Sequence, residues 1–218
     1  MPSKQAAKLT QDKRLPAGHL PRPVAPYSGS YPFGKSHTMN SSQRQSGGRE
    51  IQLAPDDLII TKTDPSGHIS YANRTFMRIA GYAEHELLGK PHNLIRHPDM
   101  PRGVYRLLWQ TLQAGQEFFG LVKNYTAQGD YYWVFANITP DYTAQRTLAG
   151  YYSVRRQPTR AGIAAVSPLY QQMCAIEAQA GKVAAPDASM QWLLAQLAAK
   201  QVSYQQFVLA LEQAGAAT

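Results

Sequence analysis

The segment between residues 92 and 99 concentrates side chains that could do chemistry. It holds His92, Asn93, Arg96, His97 and Asp99 within eight positions. Arg96 suits a two-point contact with a phosphate group, but the same side chains could instead cap short helices and pair with one another. The two histidines are five positions apart and have no third ligand at a matching spacing, so a metal site is not favoured. The residue types alone leave the cofactor and capping interpretations open.

A second set of side chains follows the period-two pattern of a strand pair. If Asn124 faces the interior of a sheet, Val122 and Gly120 face it too, because alternate residues of a strand share a side. The residues expected on the same side of the next strand are Tyr132, Val134, Ala136 and Ile138. A carboxamide carries both a donor and an acceptor, which suits a ring edge that presents carbonyl and N–H groups together. The pattern predicts an apolar slot with an amide at its rim.

Other features of the composition exclude whole classes of function. No nucleophile–base pair, phosphate-binding loop or carboxylate pair stands out, so an enzyme is the poorest fit. Cys174 is the only cysteine, which rules out a disulfide framework and a cysteine-based zinc site and fits a reducing cytoplasm. No apolar run approaches the roughly 20 residues of a membrane span, and the N-terminus lacks an apolar signal segment. We expect a soluble, cytoplasmic, non-catalytic protein.

The net charge of +8 is unevenly distributed along the chain. Residues 1–50 carry eight Lys or Arg against two acidic residues, whereas the rest carries 14 basic and 12 acidic residues. The basic excess lies in a segment rich in Pro, Gly, Ser and Gln, which cannot bury enough apolar area to offset its ordering entropy. We predict a disordered basic arm over residues 1–52, without sequence-specific nucleic-acid binding.

The middle of the chain alternates strand and helix patterns. Asn73 is a predicted helix N-cap and Gly81 the matching stop. The predicted elements are, in order, strands Leu58–Thr63 and His68–Tyr71, helices 74–80, Glu84–Leu88 and 101–114, and strands Phe118–Tyr125, Asp130–Thr139 and Leu148–Arg156. This order predicts an α+β domain over residues 53–157, with a five-stranded antiparallel sheet and short helices on one face.

Residues 158–218 are predicted to form a helical extension. Amphipathic patterns cover Ile163–Ala180 and Met190–Leu211, with a break in the Gly181–Pro186 region. These helices could pack on the sheet as a hairpin or serve as a docking element for a partner.

An aromatic patch is expected on the outer side of the sheet. Tyr131, Trp133 and Phe135 alternate along one strand, and three neighbouring aromatics are too much apolar surface to leave in water. The C-terminal helices, a second copy of the chain or a signalling partner could cover them.

Several motifs in the predicted domain form a recognisable set. Asn73, Gly81-Tyr82 and Gly89 are generic PAS elements, whereas the unbroken run from Pro91 to Pro101, Pro-His-Asn-Leu-Ile-Arg-His-Pro-Asp-Met-Pro, is far more specific. Further matching segments lie at residues 122–124, 129–137 and 163–170. On these residues the chain from about 57 to 170 resembles the PAS sensors of the bacterial aerotaxis receptor family.

The resemblance implies a PAS fold with FAD in its cavity, whose redox state reports oxygen or electron-transport status to a signalling partner. It also implies that His92, Asn93, Arg96, His97 and Asp99 line the flavin and its phosphates.

The strand pair is also similar to the LOV photosensor branch of PAS proteins, in which the residue at Asn124 meets the flavin. The second amide of that branch falls at Val134, and its reactive cysteine is missing because Cys174 lies outside the domain, so LOV photochemistry is not expected. Tyr152 falls where that branch places a glutamine near flavin N5. A phenol there could gain or lose a hydrogen bond on reduction. We therefore include Asn124, Tyr132, Val134 and Tyr152 among the predicted cofactor-binding residues.

These observations together predict an FAD-binding PAS redox or oxygen sensor in aerotaxis-like or chemotaxis-like signal transduction. Because the sequence shows neither a membrane anchor nor a long signalling coiled coil, the signal is expected to pass to a separate protein, such as a chemotaxis transducer, or through a homodimer. FMN and haem are the alternative cofactors. The alternative functions are a cofactor-free interaction module and a sensor of haem or a small metabolite.

Overall fold

The computed structural model of the protein describes residues 48–216. All but the last five positions of the predicted basic arm lie outside the described residues. The described elements are, in chain order, β1 (Ile59–Thr63), β2 (Ile69–Ala72), α1 (Arg74–Ala80), α2 (Glu84–Leu87), a 3₁₀ turn (His92–Ile95), α3 (Arg102–Gln113), β3 (Phe118–Tyr125), β4 (Tyr131–Tyr142), β5 (Leu148–Arg156), α4 (Arg160–Gln179), α5 (Gly181–Ala198) and α6 (Tyr204–Ala216).

The five strands form one antiparallel sheet in the order β2-β1-β5-β4-β3. The chain makes a hairpin from β1 to β2, crosses through the helices, and returns with the meander β3-β4-β5, whose last strand pairs with β1. The predicted α+β architecture is confirmed, and the bounds of β3 and β5 are those expected from the sequence.

One polar side chain fixes the first helix against the sheet. Asn73 Oδ1 accepts hydrogen bonds from the N–H of Phe76 (3.0 Å) and of Ile60 (3.1 Å), while its Nδ2 donates to Leu58 O (2.8 Å). Gly81 then ends α1 in the left-handed conformation, with φ +73°. The predicted cap therefore also ties α1 to β1.

The two faces of the sheet are covered by different helices. We call the face toward α1 and α3 the inner face, because Trp109 of α3 packs edge-on against Tyr151 of β5 (5.2 Å between centroids). The opposite, outer face carries the predicted aromatic patch. Tyr170 of α4 stacks on Trp133 (6.4 Å) and donates a hydrogen bond to Leu121 O (2.9 Å). Helix α4 of the same chain thus provides cover for the aromatic patch.

Residues just before the predicted domain extend the strand pairing. Ile51 N–H donates to Tyr131 O (2.7 Å), and Tyr131 N–H donates to Arg49 O (3.1 Å). β5 pairs with β4 only from Phe135 onward. The short segment around residues 49–51 pairs instead with the start of β4, at Tyr131.

The sequence prediction of one helix over Met190–Leu211 is wrong, since α5 and α6 are separate. Helix α5 already begins at Gly181 and runs through Pro186. Pro186 has no N–H to donate to the carbonyl of Lys182 four residues earlier, but Arg102 Nη2 donates to that carbonyl at 2.9 Å. A side chain from α3 therefore compensates the proline within α5.

The actual break between α5 and α6 lies at residues 199–203. Gln201 has φ +57°, and Ser203 begins the next helix. Gln206 N–H donates to Ser203 Oγ (3.1 Å), and Ser203 N–H donates to Gln206 Oε1 (2.9 Å). This reciprocal pair is a capping box, which starts α6.

Candidate ligand-binding site

The inner face places the predicted strand residues side by side. Asn124 lies directly opposite Tyr132, and Val122 lies opposite Val134. Residues directly opposite in an antiparallel pair share a face, so the expected alternation is the one observed. Ala136, on the same side of β4, is paired with Arg155 of β5.

Several polar atoms on this face are buried and unpaired within the described residues. They are Asn124 Nδ2, Tyr132 OH, Ser153 Oγ and Arg155 Nη1. Asn124 is 4% exposed and Tyr132 is fully buried. An unpaired buried polar atom costs about 1–3 kcal/mol, so four such atoms make this face the candidate site.

A hydrogen-bonded triad joins the inner face to the 3₁₀ turn. Arg155 Nη2 donates to Thr61 Oγ1 (3.1 Å) and to His92 Nε2 (2.8 Å). The ring of His92 also stacks on Phe76 of α1 (5.9 Å). Burial, with the nearby Arg155 charge, lowers the pKa of His92 to about 3. His92 is therefore neutral and accepts from Arg155, which holds the guanidinium in place.

Arg96 lies at the free edge of β3. The backbones of Arg96 and Asn124 form an isolated antiparallel bridge, which brings the segment after the 3₁₀ turn alongside β3. The Arg96 guanidinium lies over the ring of Tyr105 (4.2 Å), and its Nη2 donates to Met100 O (3.2 Å). Burial lowers the pKa of Arg96, but an arginine stays charged at neutral pH.

The other members of the 92–99 segment lie apart from the inner face. The ring of His97 packs at a tilt against Tyr125 (4.1 Å between ring centres), and Asp99 Oδ2 pairs with Lys123 Nζ (2.7 Å). Tyr125 and Lys123 alternate with Asn124 along β3, so this cluster lies on the outer side. The side chain of Asp99 is 63% exposed, and Asn93 is exposed as well.

The expectation that Tyr152 faces the same slot as Asn124 is corrected by the strand register. Tyr152 is paired with Lys62, and Lys62 Nζ lies 5.5 Å from its ring centre on the outer face. The inward residues of β5 are instead Tyr151, Ser153 and Arg155, which alternate with Tyr152 along the strand. Sequence reasoning missed Arg155, since a lone arginine in a strand normally points to solvent.

Acid is expected to destabilise the fold through His92 and His97. Burial lowers the pKa of His92 to about 3 and that of His97 to about 4, whereas each takes up a proton near about pH 6.5 in the unfolded chain. The unfolded state therefore binds more protons below about pH 6.5, and stability falls by about 1.4 kcal/mol per pH unit for each histidine.

Urea denaturation between about pH 7 and about pH 5 measures this slope. His92→Gln should remove one histidine's share of the slope, and His85→Gln, on the exposed side of α2, should leave it intact. Equal slopes for the two variants and the wild type would contradict the assignment.

Two features are absent from residues 48–216: a cluster of metal-ligating side chains and a membrane-spanning helix. No group of three or more His, Cys, Asp or Glu side chains there could hold a metal ion. Within the same residues, no helix is both long and apolar enough to cross a membrane.

Comparison with known proteins gives one family and several relatives. The PAS fold family matches residues 69–154. The aerotaxis receptor of Escherichia coli (strain K12) is 43% identical over 121 residues, which are 56% of this chain and 24% of the receptor. The nitrogen fixation regulatory protein of Klebsiella pneumoniae is 35% identical over 99 residues, 45% of this chain and 20% of that protein.

A third relative is the biofilm dispersion protein BdlA of Pseudomonas aeruginosa, 36% identical over 78 residues, which are 35% of this chain and 19% of that protein. The aligned segments span a quarter or less of the length of each of these relatives. The predicted family resemblance is confirmed over the domain. With its strand order and its helix-covered inner face, the region around residues 69–154 is a PAS domain, and it is similar in sequence to part of the aerotaxis receptor.

Proposed function

We propose that this chain is an FAD-binding PAS sensor that reports redox or oxygen status to a signalling partner. The observation that carries the proposal is the set of buried, unpaired polar atoms on the inner face: Asn124 Nδ2, Tyr132 OH, Ser153 Oγ and Arg155 Nη1. They lie in a domain that is 43% identical to part of the aerotaxis receptor. When bound, a flavin supplies reversible electron transfer.

The inner-face residues fit the chemistry of such a group. Asn124 Nδ2 and Arg155 Nη1 are donors, and the hydroxyls of Tyr132 and Ser153 can donate or accept, so together they suit a ring edge rich in carbonyl and nitrogen acceptors. Phe76 and Tyr132, both fully buried in the same interior, make the surroundings of these polar atoms aromatic and apolar.

The remaining predicted site residues take distinct parts in this proposal. Arg96, with its charge held at the edge of β3 beside Asn124, is the candidate phosphate contact. His92 acts indirectly by holding Arg155. Val134 contributes apolar surface to the inner face. Asn93, His97 and Asp99 lie away from that face, so they would contact only a part of the ligand that extends beyond it.

The geometry of the histidines favours flavin over haem. A haem needs an imidazole nitrogen free to bind iron inside the cavity. His92 Nε2 already accepts a hydrogen bond from Arg155 at 2.8 Å, and His97 packs against Tyr125 on the other side of the sheet.

The proposed output is non-enzymatic. We place the protein in the cytoplasm, with a chemotaxis transducer or another signalling protein as partner and a homodimer as the alternative route. The similarity to a receptor, to a nitrogen fixation regulatory protein and to a biofilm dispersion protein supports this assignment.

The absorption spectrum of the purified chain tests the cofactor directly. We expect two bands near roughly 450 and 370 nm from a bound flavin, and chromatography of the released cofactor should identify FAD rather than FMN. A sharp Soret band would indicate haem instead. A colourless protein that also fails to bind added FAD or FMN would contradict the proposal and favour the cofactor-free module.

A paired substitution localises the ligand. Asn124→Ala removes a buried donor and is expected to weaken flavin affinity about tenfold, since one hydrogen bond contributes about 1–1.5 kcal/mol. Asn137→Ala, on the same sheet but with its amide bonded to Glu117 (3.1 Å), should leave the affinity unchanged. Titration of the cofactor-free protein with FAD, followed by flavin fluorescence, measures both.

A further inference from the structure

Arg155 is a buried cation without an anionic partner. The residue is 6% exposed, and none of the ion pairs found between described residues includes it. Its neighbours are neutral: the Thr61 hydroxyl, the His92 imidazole and the face of the Phe76 ring, 5.9 Å away. Its Nη1 has no hydrogen-bond partner at all among the described residues.

The groups that surround Arg155 cannot supply the missing negative charge by ionising. Besides His92, the titratable side chains that act on it are Tyr132 and Tyr105. Burial raises the pKa of both tyrosines above the usual value, so both remain neutral phenols. Burial lowers the pKa of Arg155 itself only to about 10, so the guanidinium remains charged at neutral pH.

An uncompensated charge in a protein interior is costly. Removing an ion from water costs several kcal/mol after relaxation, and neutral dipoles recover only part of that free energy. A ligand that brings or acquires negative charge would relieve the cost, and Arg155 Nη1 offers it an unused donor.

We infer that Arg155 is the counter-charge of the bound ring, and that it binds the reduced, negatively charged ring more tightly than the oxidised, neutral one. This inference rests on the proposed flavin function and adds the residue that sets its redox poise. Reduction adds two electrons from an external reductant and one proton to the ring. One net negative charge is left, and Arg155 pairs with it.

Two consequences can be measured. The first is the ratio of affinities for reduced and oxidised FAD, which equals a shift in midpoint potential, about 30 mV per tenfold for a two-electron couple. The second is the number of protons taken up with each pair of electrons. It should stay at one for the bound flavin at mildly acidic pH, where free FAD takes up two.

The experiment uses the full chain reconstituted with FAD and titrated with dithionite against a reference dye. Arg155→Gln should lower the reduced-to-oxidised affinity ratio at least tenfold, whereas Arg155→Lys, which keeps the charge, should retain most of it. Arg156→Gln is the matched control, because Arg156 pairs with Glu212 on the opposite face (3.3 Å); its ratio should equal that of the wild type.

The possible outcomes distinguish failure of the proposed flavin function from failure of the inference about Arg155. If the wild type binds no flavin, the proposed function fails and this inference with it. If the wild type binds flavin but Arg155→Gln leaves the affinity ratio unchanged, only the inference about Arg155 fails. If Arg155→Gln does not fold, the wild-type proton count decides, and two protons per electron pair would overturn the inference.

Discussion

Replacing Gly150 with alanine is expected to lower the free energy of unfolding by about 3 kcal/mol or more. Gly150 has φ +153°, and a Cβ there would lie 1.8 Å from the carbonyl oxygen of Thr63, a backbone atom that cannot rotate away. Backbone strain and overpacking each cost about 1–3 kcal/mol. The clash lies where β1 pairs with β5, the pairing that joins the β1–β2 hairpin to the β3–β4–β5 meander.

Equilibrium urea denaturation measures this loss, and Gly129→Ala provides the comparison. Gly129 also has a positive φ (+90°), but a Cβ there would meet nothing within 4 Å, so only the conformational cost of about 1–2 kcal/mol applies. Equal losses for the two variants would show that the contact with Thr63 does not matter.

Replacing Glu212 with alanine is expected to release helix α6. Glu212 is 4% exposed, and its carboxylate accepts hydrogen bonds from Thr159 N–H (3.1 Å) and from Arg156 Nη1 (3.3 Å). Removing it leaves Thr159 N–H without its acceptor at the start of α4, at a cost of about 2 to 3 kcal/mol. We expect a lower melting temperature and faster proteolytic cleavage within residues 199–216.

Gln213→Ala is the control for this variant, because Gln213 is the exposed neighbour of Glu212. It should change neither the melting temperature nor the cleavage rate. Cleavage of Glu212→Ala at the wild-type rate would mean that apolar packing alone holds α6.

Local signals predicted most of the fold because they act over short distances. Asn73 and Gly81 mark the ends of α1 by side-chain capping and left-handed backbone, and the sequence displays both. The sequence prediction missed the break before α6, although Ser203 and Gln206 have capping-box spacing. The proline at position 186 suggested a break elsewhere, and only the carbonyl contact from Arg102 explains why the helix continues there.

The residues of the candidate site were predictable only in strands where polar and apolar residues clearly alternate. The pairing of Asn124 with Tyr132 followed from period two on a hairpin. In β5 the two alternating sets are similar in polarity, since Tyr152 and Val154 alternate with Tyr151 and Ser153, so the sequence does not show which set faces inward. Register with β1 and β4 decides it, and it places a charged residue inside, against the usual preference of arginine for solvent.

The two consecutive arginines of β5 give that strand a mechanical property. Arg155 is bonded to Thr61 and His92 on one side of the sheet, while Arg156 is bonded to Glu212 of the last helix on the other. The two residues are adjacent, about 3.3 Å apart along the strand, although their side chains lie on opposite faces. A change in the backbone of β5 at this point can therefore act on both attachments at once, one to the 3₁₀ turn and one to the last helix.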